Sequence, residues 1–150
     1  MGLNSLSTTL RQHRRIAIDS SIFIYHIEAH SKYVALTDAV FSWLDHPTSR
    51  AVTAALTMTE ILVVPYRNRD DKLPDDFYSL LSTYPSLEWI SIDLQIADVA
   101  ARLRAAHGLR TPDALQAAIA IQTQATALVT NDPVFRRVSG FAPIVLDDFL

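Results

Sequence analysis

The sequence contains no cysteine, so disulfide frameworks, thiolate zinc sites and cysteine nucleophiles are excluded together. Glycine is nearly as scarce. Only Gly2, Gly108 and Gly140 occur, which rules out both a phosphate-cradling glycine-rich loop and a dinucleotide-binding fingerprint. No serine sits between glycines at a strand-turn-helix elbow, and the five histidines (His13, His26, His30, His46 and His107) lack zincin spacing, so they read as surface or structural groups. Apolar runs such as Ile61 to Pro65 fall far short of the roughly 20 residues needed to span a bilayer. The polar stretch Met1 to Gln12 has no signal-peptide core, and the expectation is a cytoplasmic protein with no membrane contact.

Positive charge is not in excess either. A formal net charge of -3 argues against holding nucleic acid by bulk positive field. It leaves catalytic binding open, because a divalent ion inverts the local sign of an acidic cluster. The basic residues come in small groups around Arg14, Arg67, Arg104 and Arg136, which read first as solvated surface.

What is present is enough apolar material for one core: 150 residues, 49% hydrophobic and 19% charged. Residues 1–14 read as a tail or short extra helix, and 15–150 as one domain. Strand candidates are Arg15 to Ile18, Arg50 to Ala54, Leu87 to Ile92, Ala127 to Val129 and Ile144 to Leu146. Between them lie helical patterns over Ser20 to Ala29, Tyr33 to Asp45, Leu56 to Tyr66, Pro74 to Thr83, Leu94 to Ala106 and Asp113 to Gln124, with a short helix after Pro133. Thr57 or Thr59 is a candidate cap, Pro65 should end or bend its helix, and Thr111 caps the Asp113 helix with Pro112 at its first position. Strands alternating with helices imply an α/β fold: a three-layer α/β/α arrangement with a short parallel sheet of about four to five strands flanked by helices.

In such sheets, sites gather outside the carboxyl ends of the strands. Four acids fit. Asp19 ends the first strand, Glu60 lies early in the helix after the second, Asp113 begins a helix, and Asp132 follows the Ala127 strand. Each alone has a plain structural reading: Asp19 and Asp132 are good N-caps, Asp113 suits a helix dipole, and Glu60 suits a solvated face. Capping does not explain why all four should share one sheet edge. Crowded carboxylates repel one another unless a cation offsets them, and an all-oxygen set favours Mg²⁺ or Mn²⁺ over zinc.

With these residues in order, Ile16 to Tyr25 around Asp19, Glu60 in its helix, Gly108-Leu109 with Thr111-Pro112-Asp113-Ala114, and Leu128 to Asp132, the sequence resembles PIN-domain nucleases, and among them the stand-alone VapC-type toxins of toxin–antitoxin pairs. The resemblance covers most of the chain. It implies that Asp19, Glu60, Asp113 and Asp132 are catalytic and metal-binding, with Ser20, Thr130 and Asn131 as supporting polar groups. It implies a Mg²⁺- or Mn²⁺-dependent endoribonuclease with one or two ions, in which Asp19 is the shared ligand if a second ion binds. Asp113 and Asp132 would complete the shells, and Glu60 would act through a water, as an outer ligand or as the base that orients the nucleophile. Further expectations are an RNA substrate, a small antitoxin protein as partner and a homodimer. Arg67, seven positions after Glu60, and Arg110, just ahead of the Asp113 helix, are candidates for phosphate contact. One departure is the fourteen residues ahead of the first strand, since many of these toxins begin almost at it.

Three rivals stand beside this reading. One is a catalytically silent interaction module of the same fold, and another a PIN nuclease of RNA processing outside any toxin–antitoxin pair. The third is a phosphatase or phosphoacceptor domain, which needs a second acid close to the first and a lysine near the end. Here Ile18 precedes Asp19 and Ser20 and Ser21 follow it, and the lysines are Lys32 and Lys72.

Overall fold

The computed structural model describes residues 2–150. Five short strands run parallel in one sheet: β1 (Arg15–Ile18), β2 (Arg50–Ala54), β3 (Leu87–Ile90), β4 (Ala127–Thr130) and β5 (Ala142–Val145). Their order is β3-β2-β1-β4-β5, which puts β1 at the centre with Ile16 facing Ala51 on one side and Ala127 on the other. A strand covered on both faces gains from apolar residues at every position, and Ala-Leu-Val-Thr in β4 is buried throughout.

Among the described residues, seven helices cover the sheet: α1 (Leu3–Arg11), α2 (Ser20–Ile27), α3 (Val34–Leu44), α4 (Ala55–Arg67), α5 (Leu73–Ser82), α6 (Leu94–His107) and α7 (Thr111–Gln122). Two 3₁₀ helices, Pro133–Arg137 and Leu146–Phe149, flank β5. The strands alternate between two cores, as the two-residue side-chain period demands. Ile16, Ile18, Ala127 and Val129 join Leu6, Leu10, Phe23, Val40 and Leu44 in the core beneath α1 to α5. Ala17, Val52, Ala54 and Leu128 join Ile96, Ala100, Ala117, Ala118 and Phe135 in the other, beneath α6 and α7. The layers are therefore α/β/α. Leu6 and Leu10 of α1 are fully buried, and α1 packs on α3. Among the described residues, no helix is long and apolar enough to cross a membrane.

Several local details differ from expectation. Helix α4 runs through Pro65 to Arg67. Proline there forgoes one N–H bond, but it sits in the last turn, where little helix remains to lose, and its ring is buried. Thr57 and Thr59 cap nothing, because α4 starts directly from β2 with Ala54 as N-cap and both threonines fall inside the helix. Thr111 is likewise inside its helix: Arg110 is the N-cap, and Pro112 still lies in the first turn, where a missing N–H costs nothing. β5 begins two residues earlier than the apolar run suggested, and Leu146 opens a 3₁₀ turn instead of ending the strand.

Candidate active site

The strand order turns at β1, with β2 and β3 on one side and β4 and β5 on the other, and a crevice opens outside the carboxyl ends at such a point. Asp19 directly follows β1 and Asp132 lies two residues past β4. Glu60 is in the second turn of α4, whose start abuts β2, and Asp113 is in the first turn of α7. All four acids line one cleft of about 400 Å³, together with Ser20, Tyr25, Arg110, Gln116 and Asn131.

Asp19 is the most constrained of them. It is buried, and it is the N-cap of α2, its Oδ1 accepting the Ser20 N–H at 2.8 Å. Its Oδ2 accepts the Thr130 hydroxyl at 2.8 Å and the Ser21 hydroxyl at 3.3 Å. The Thr130 Oγ1 also accepts the Asp132 N–H at 3.0 Å, so this one buried threonine ties the end of β1 to the turn after β4. Asp132 in turn caps the following 3₁₀ helix by accepting the Val134 N–H at 2.9 Å. The Ser20 hydroxyl donates to Glu60 Oε2 at 2.9 Å, which anchors α4 to the start of α2. Capping and clustering are thus compatible in Asp19 and Asp132, each of which caps a helix and lines the cleft.

Electrostatics separate the acids. Burial raises the Asp19 carboxyl above the usual range, the hydrogen bonds from Thr130, Ser20 and Ser21 oppose the rise, and the charge of Glu60 adds to it. Asp113 is also raised, first by burial and then by the charges of Asp132 and Asp19, with Arg110 opposing. Crowded like charges of this kind attract a cation, and the donors present, carboxylates with hydroxyl and amide oxygens, fit a hard divalent ion. Among the described residues, no three of the acids already converge at ligand spacing. Asp19, Glu60 and Asp132 spend oxygens on Thr130, Ser20 and Val134, so closing on an ion requires side-chain adjustment against those bonds.

Of the expected supporting groups, Ser20 and Asn131 line the cleft and Thr130 lies beneath it, bonded to Asp19. Asn131 donates to the Tyr25 hydroxyl at 3.4 Å and accepts the Asp147 N–H at 2.9 Å. Arg110 is on the rim. Arg67 is exposed at the last residue of α4 and is not among the lining residues. Ser21, Tyr25 and Gln116 line the cleft without having been singled out in the sequence. Gln116 carried a usable signal: it is three residues after Asp113, hence on the same helix face, and it is the one polar residue in the run Ala114 to Ile121. Tyr25 carried none, since its approach to Asn131 depends on how α2 lies across the sheet.

The PIN domain family profile matches residues 16–140. No curated protein sequence matches the chain. Among solved structures, a toxin–antitoxin complex from Klebsiella pneumoniae is similar at 20% identity and TM-score 0.65, over 85% of this chain and 95% of that one. The DNA-bound VapBC of Salmonella typhimurium is similar at 17% identity and TM-score 0.62, over 88% and 98%. VapC20 of Mycobacterium tuberculosis, a toxin that cleaves the sarcin-ricin loop, is similar at 14% identity and TM-score 0.60, over 75% and 86%. At these identities the structures establish a shared fold, and the family match spans most of the chain: this protein belongs to the PIN domain family.

Proposed function

We propose that the protein is a Mg²⁺- or Mn²⁺-dependent endoribonuclease that serves as the toxin of a toxin–antitoxin pair. The observation that carries this reading is that Asp19, Glu60, Asp113 and Asp132, contributed by four different segments, line a single cleft at the carboxyl end of a parallel sheet. When bound there, a divalent ion supplies charge stabilisation for phosphodiester cleavage and lowers the pKa of the attacking water.

The chain's own residues have distinct tasks in this scheme. Asp19, Asp113 and Asp132 are the carboxylates that hold the ion. Thr130 fixes Asp19 and the Asp132 backbone together, so that the two strand ends present their oxygens at a constant separation. Ser20 holds Glu60 turned toward the cleft, where it orients a water. Arg110, on the rim, meets a backbone phosphate of the RNA beside the scissile one.

The toxin assignment draws support from the solved structures of similar fold, several of which are toxin–antitoxin complexes. A small antitoxin and a second copy of the chain are the partners in this reading. Exposed apolar side chains on α4 and α5, among them Val63, Val64, Tyr66 and Tyr78, suit such contacts. The test is to sequence RNA 5′ ends after brief induction of the wild type and of Asp113→Asn. New ends specific to the wild type are expected; identical end profiles with both proteins would contradict a ribonuclease.

A further inference from the structure

Gln116 lies in the cleft wall and is 3% exposed, among alanines and isoleucine of α7. A side-chain amide has two ends, and a chain of hydrogen bonds determines which end faces where. The Ile18 carbonyl, on the residue before Asp19, can only accept, and the Thr53 hydroxyl donates to it at 2.7 Å. Thr53 has then spent its hydrogen. In the 2.8 Å contact between Thr53 and Thr57, the donor must therefore be Thr57. With its own hydrogen spent, Thr57 can only accept at the 2.8 Å contact with Gln116, so the amide group that faces it is the NH₂.

The orientation is thus fixed from the backbone of β1 outward, and Gln116 Oε1 is the opposite end. No buried side-chain polar atom among the described residues lacks a partner. Oε1 makes no hydrogen bond within the protein, so it must meet open space, and the space that Gln116 borders is the acidic cleft. The bond to Thr57 accounts for the NH₂ end of this almost fully buried amide, but nothing within the protein accounts for the carbonyl oxygen at the cleft that the four carboxylates line. Oε1 has acceptor character but no charge, which suits a donor that the acids already attract.

We propose that Gln116 is a positioning residue of the cation site: its carbonyl oxygen accepts a hydrogen bond from the hydration shell of a divalent cation held by the acids, and the Ile18–Thr53–Thr57 chain keeps that oxygen in place. Hard cations of the magnesium type retain several waters, and groups that hold such waters tune affinity. The inference rests on the metal-dependent reading above.

The experiment is Mn²⁺ binding to the purified full chain, followed by electron paramagnetic resonance without RNA, for the wild type, Gln116→Met, Thr57→Val and Thr57→Ser. Gln116→Met keeps the volume and removes the oxygen; Thr57→Val breaks the chain, and Thr57→Ser preserves it. Gln116→Met is expected to weaken Mn²⁺ binding by roughly 10-fold or more. Thr57→Val should move affinity in the same direction, and Thr57→Ser should stay near wild type. If Gln116→Met fails to fold, the two Thr57 variants decide between the outcomes. Wild-type affinity in folded Gln116→Met, or in Thr57→Val, overturns the role of Gln116. A wild type that binds no Mn²⁺ overturns the metal reading itself, so the two failures are distinguishable.

Discussion

The cleft has two sides built on different physics. On the strand side, Asp19 is held by donors from Thr130, Ser20 and Ser21, and Asp132 is tied to the same Thr130 through its backbone. On the α7 side, Asp113 is governed by burial and by surrounding charge: Asp132 and Asp19 push its carboxyl up, and Arg110 pulls it down. Hydrogen bonds fix where an oxygen is, whereas charge fixes only what it costs to ionise. In the proposed scheme the strand side would therefore act as a template, and the α7 side would offer a carboxylate whose ionisation responds to a bound cation.

The comparison can be broken by removing one charge from each side. Asp19→Asn and Asp113→Asn should each lower RNA cleavage on the order of a thousandfold, since each removes a carboxylate worth several kcal/mol to the charged transition state. Single-turnover cleavage rates at saturating Mn²⁺ check this. A loss confined to Asp19→Asn would make Asp113 a helix-dipole residue and nothing more.

A smaller effect sharpens the template role. Thr130→Val keeps the buried shape but removes the donor to Asp19 and the acceptor for the Asp132 N–H. Cleavage should fall roughly 10- to 100-fold, the range typical of groups that orient metal ligands. The rise in activity with Mn²⁺ concentration should shift to higher concentration at the same time.

Phosphate contacts rank next. Arg110→Ala should weaken RNA binding a few-fold with a shallower salt dependence, and Arg67→Ala should change it less, because Arg110 borders the cleft and Arg67 does not. Fluorescence anisotropy with a catalytically inactive background, at several salt concentrations, reads both. Equal effects would mean that the substrate path follows α4 instead of the α7 rim.

The smallest effect is on stability. A carboxyl whose pKa is raised on folding favours the folded state while protonated, and that contribution is lost as pH rises from the ordinary value of 3.8 through the raised one. In chelator, Tm should therefore fall as pH climbs through the carboxylate range, and Mg²⁺ should recover it at neutral pH. Asp113→Asn should raise the neutral-pH Tm in chelator by a few degrees and blunt the response to Mg²⁺. Differential scanning fluorimetry across pH measures this; a lower Tm for Asp113→Asn without metal would contradict the charge-crowding account.

Much of the fold was legible because the chain obeys simple periodicities. The β1, β2 and β4 runs are short and mostly apolar, as befits strands covered on both faces, and α6 ends at Gly108, whose φ of 66° is the left-handed turn that a helix C-terminus favours. Asp19, Asp113 and Asp132 were legible because each lies just past a strand end or in the first turn of a helix, and Glu60 because it lies early in the helix that follows β2. Bonds between segments were not. Thr130 under Asp19, Ser20 on Glu60 and the chain from Ile18 through Thr57 to Gln116 join residues far apart in sequence, and no local pattern announces them. Pro65 misled for a related reason: its cost depends on how much helix follows, which only the packed structure decides.

The most direct test of the central claim is cleavage of cellular RNA by the purified wild-type protein with added Mn²⁺, with excess chelator, and with Asp19→Asn in parallel. The account predicts fragments only for the wild type with metal. Fragments that persist with chelator and with Asp19→Asn would contradict it.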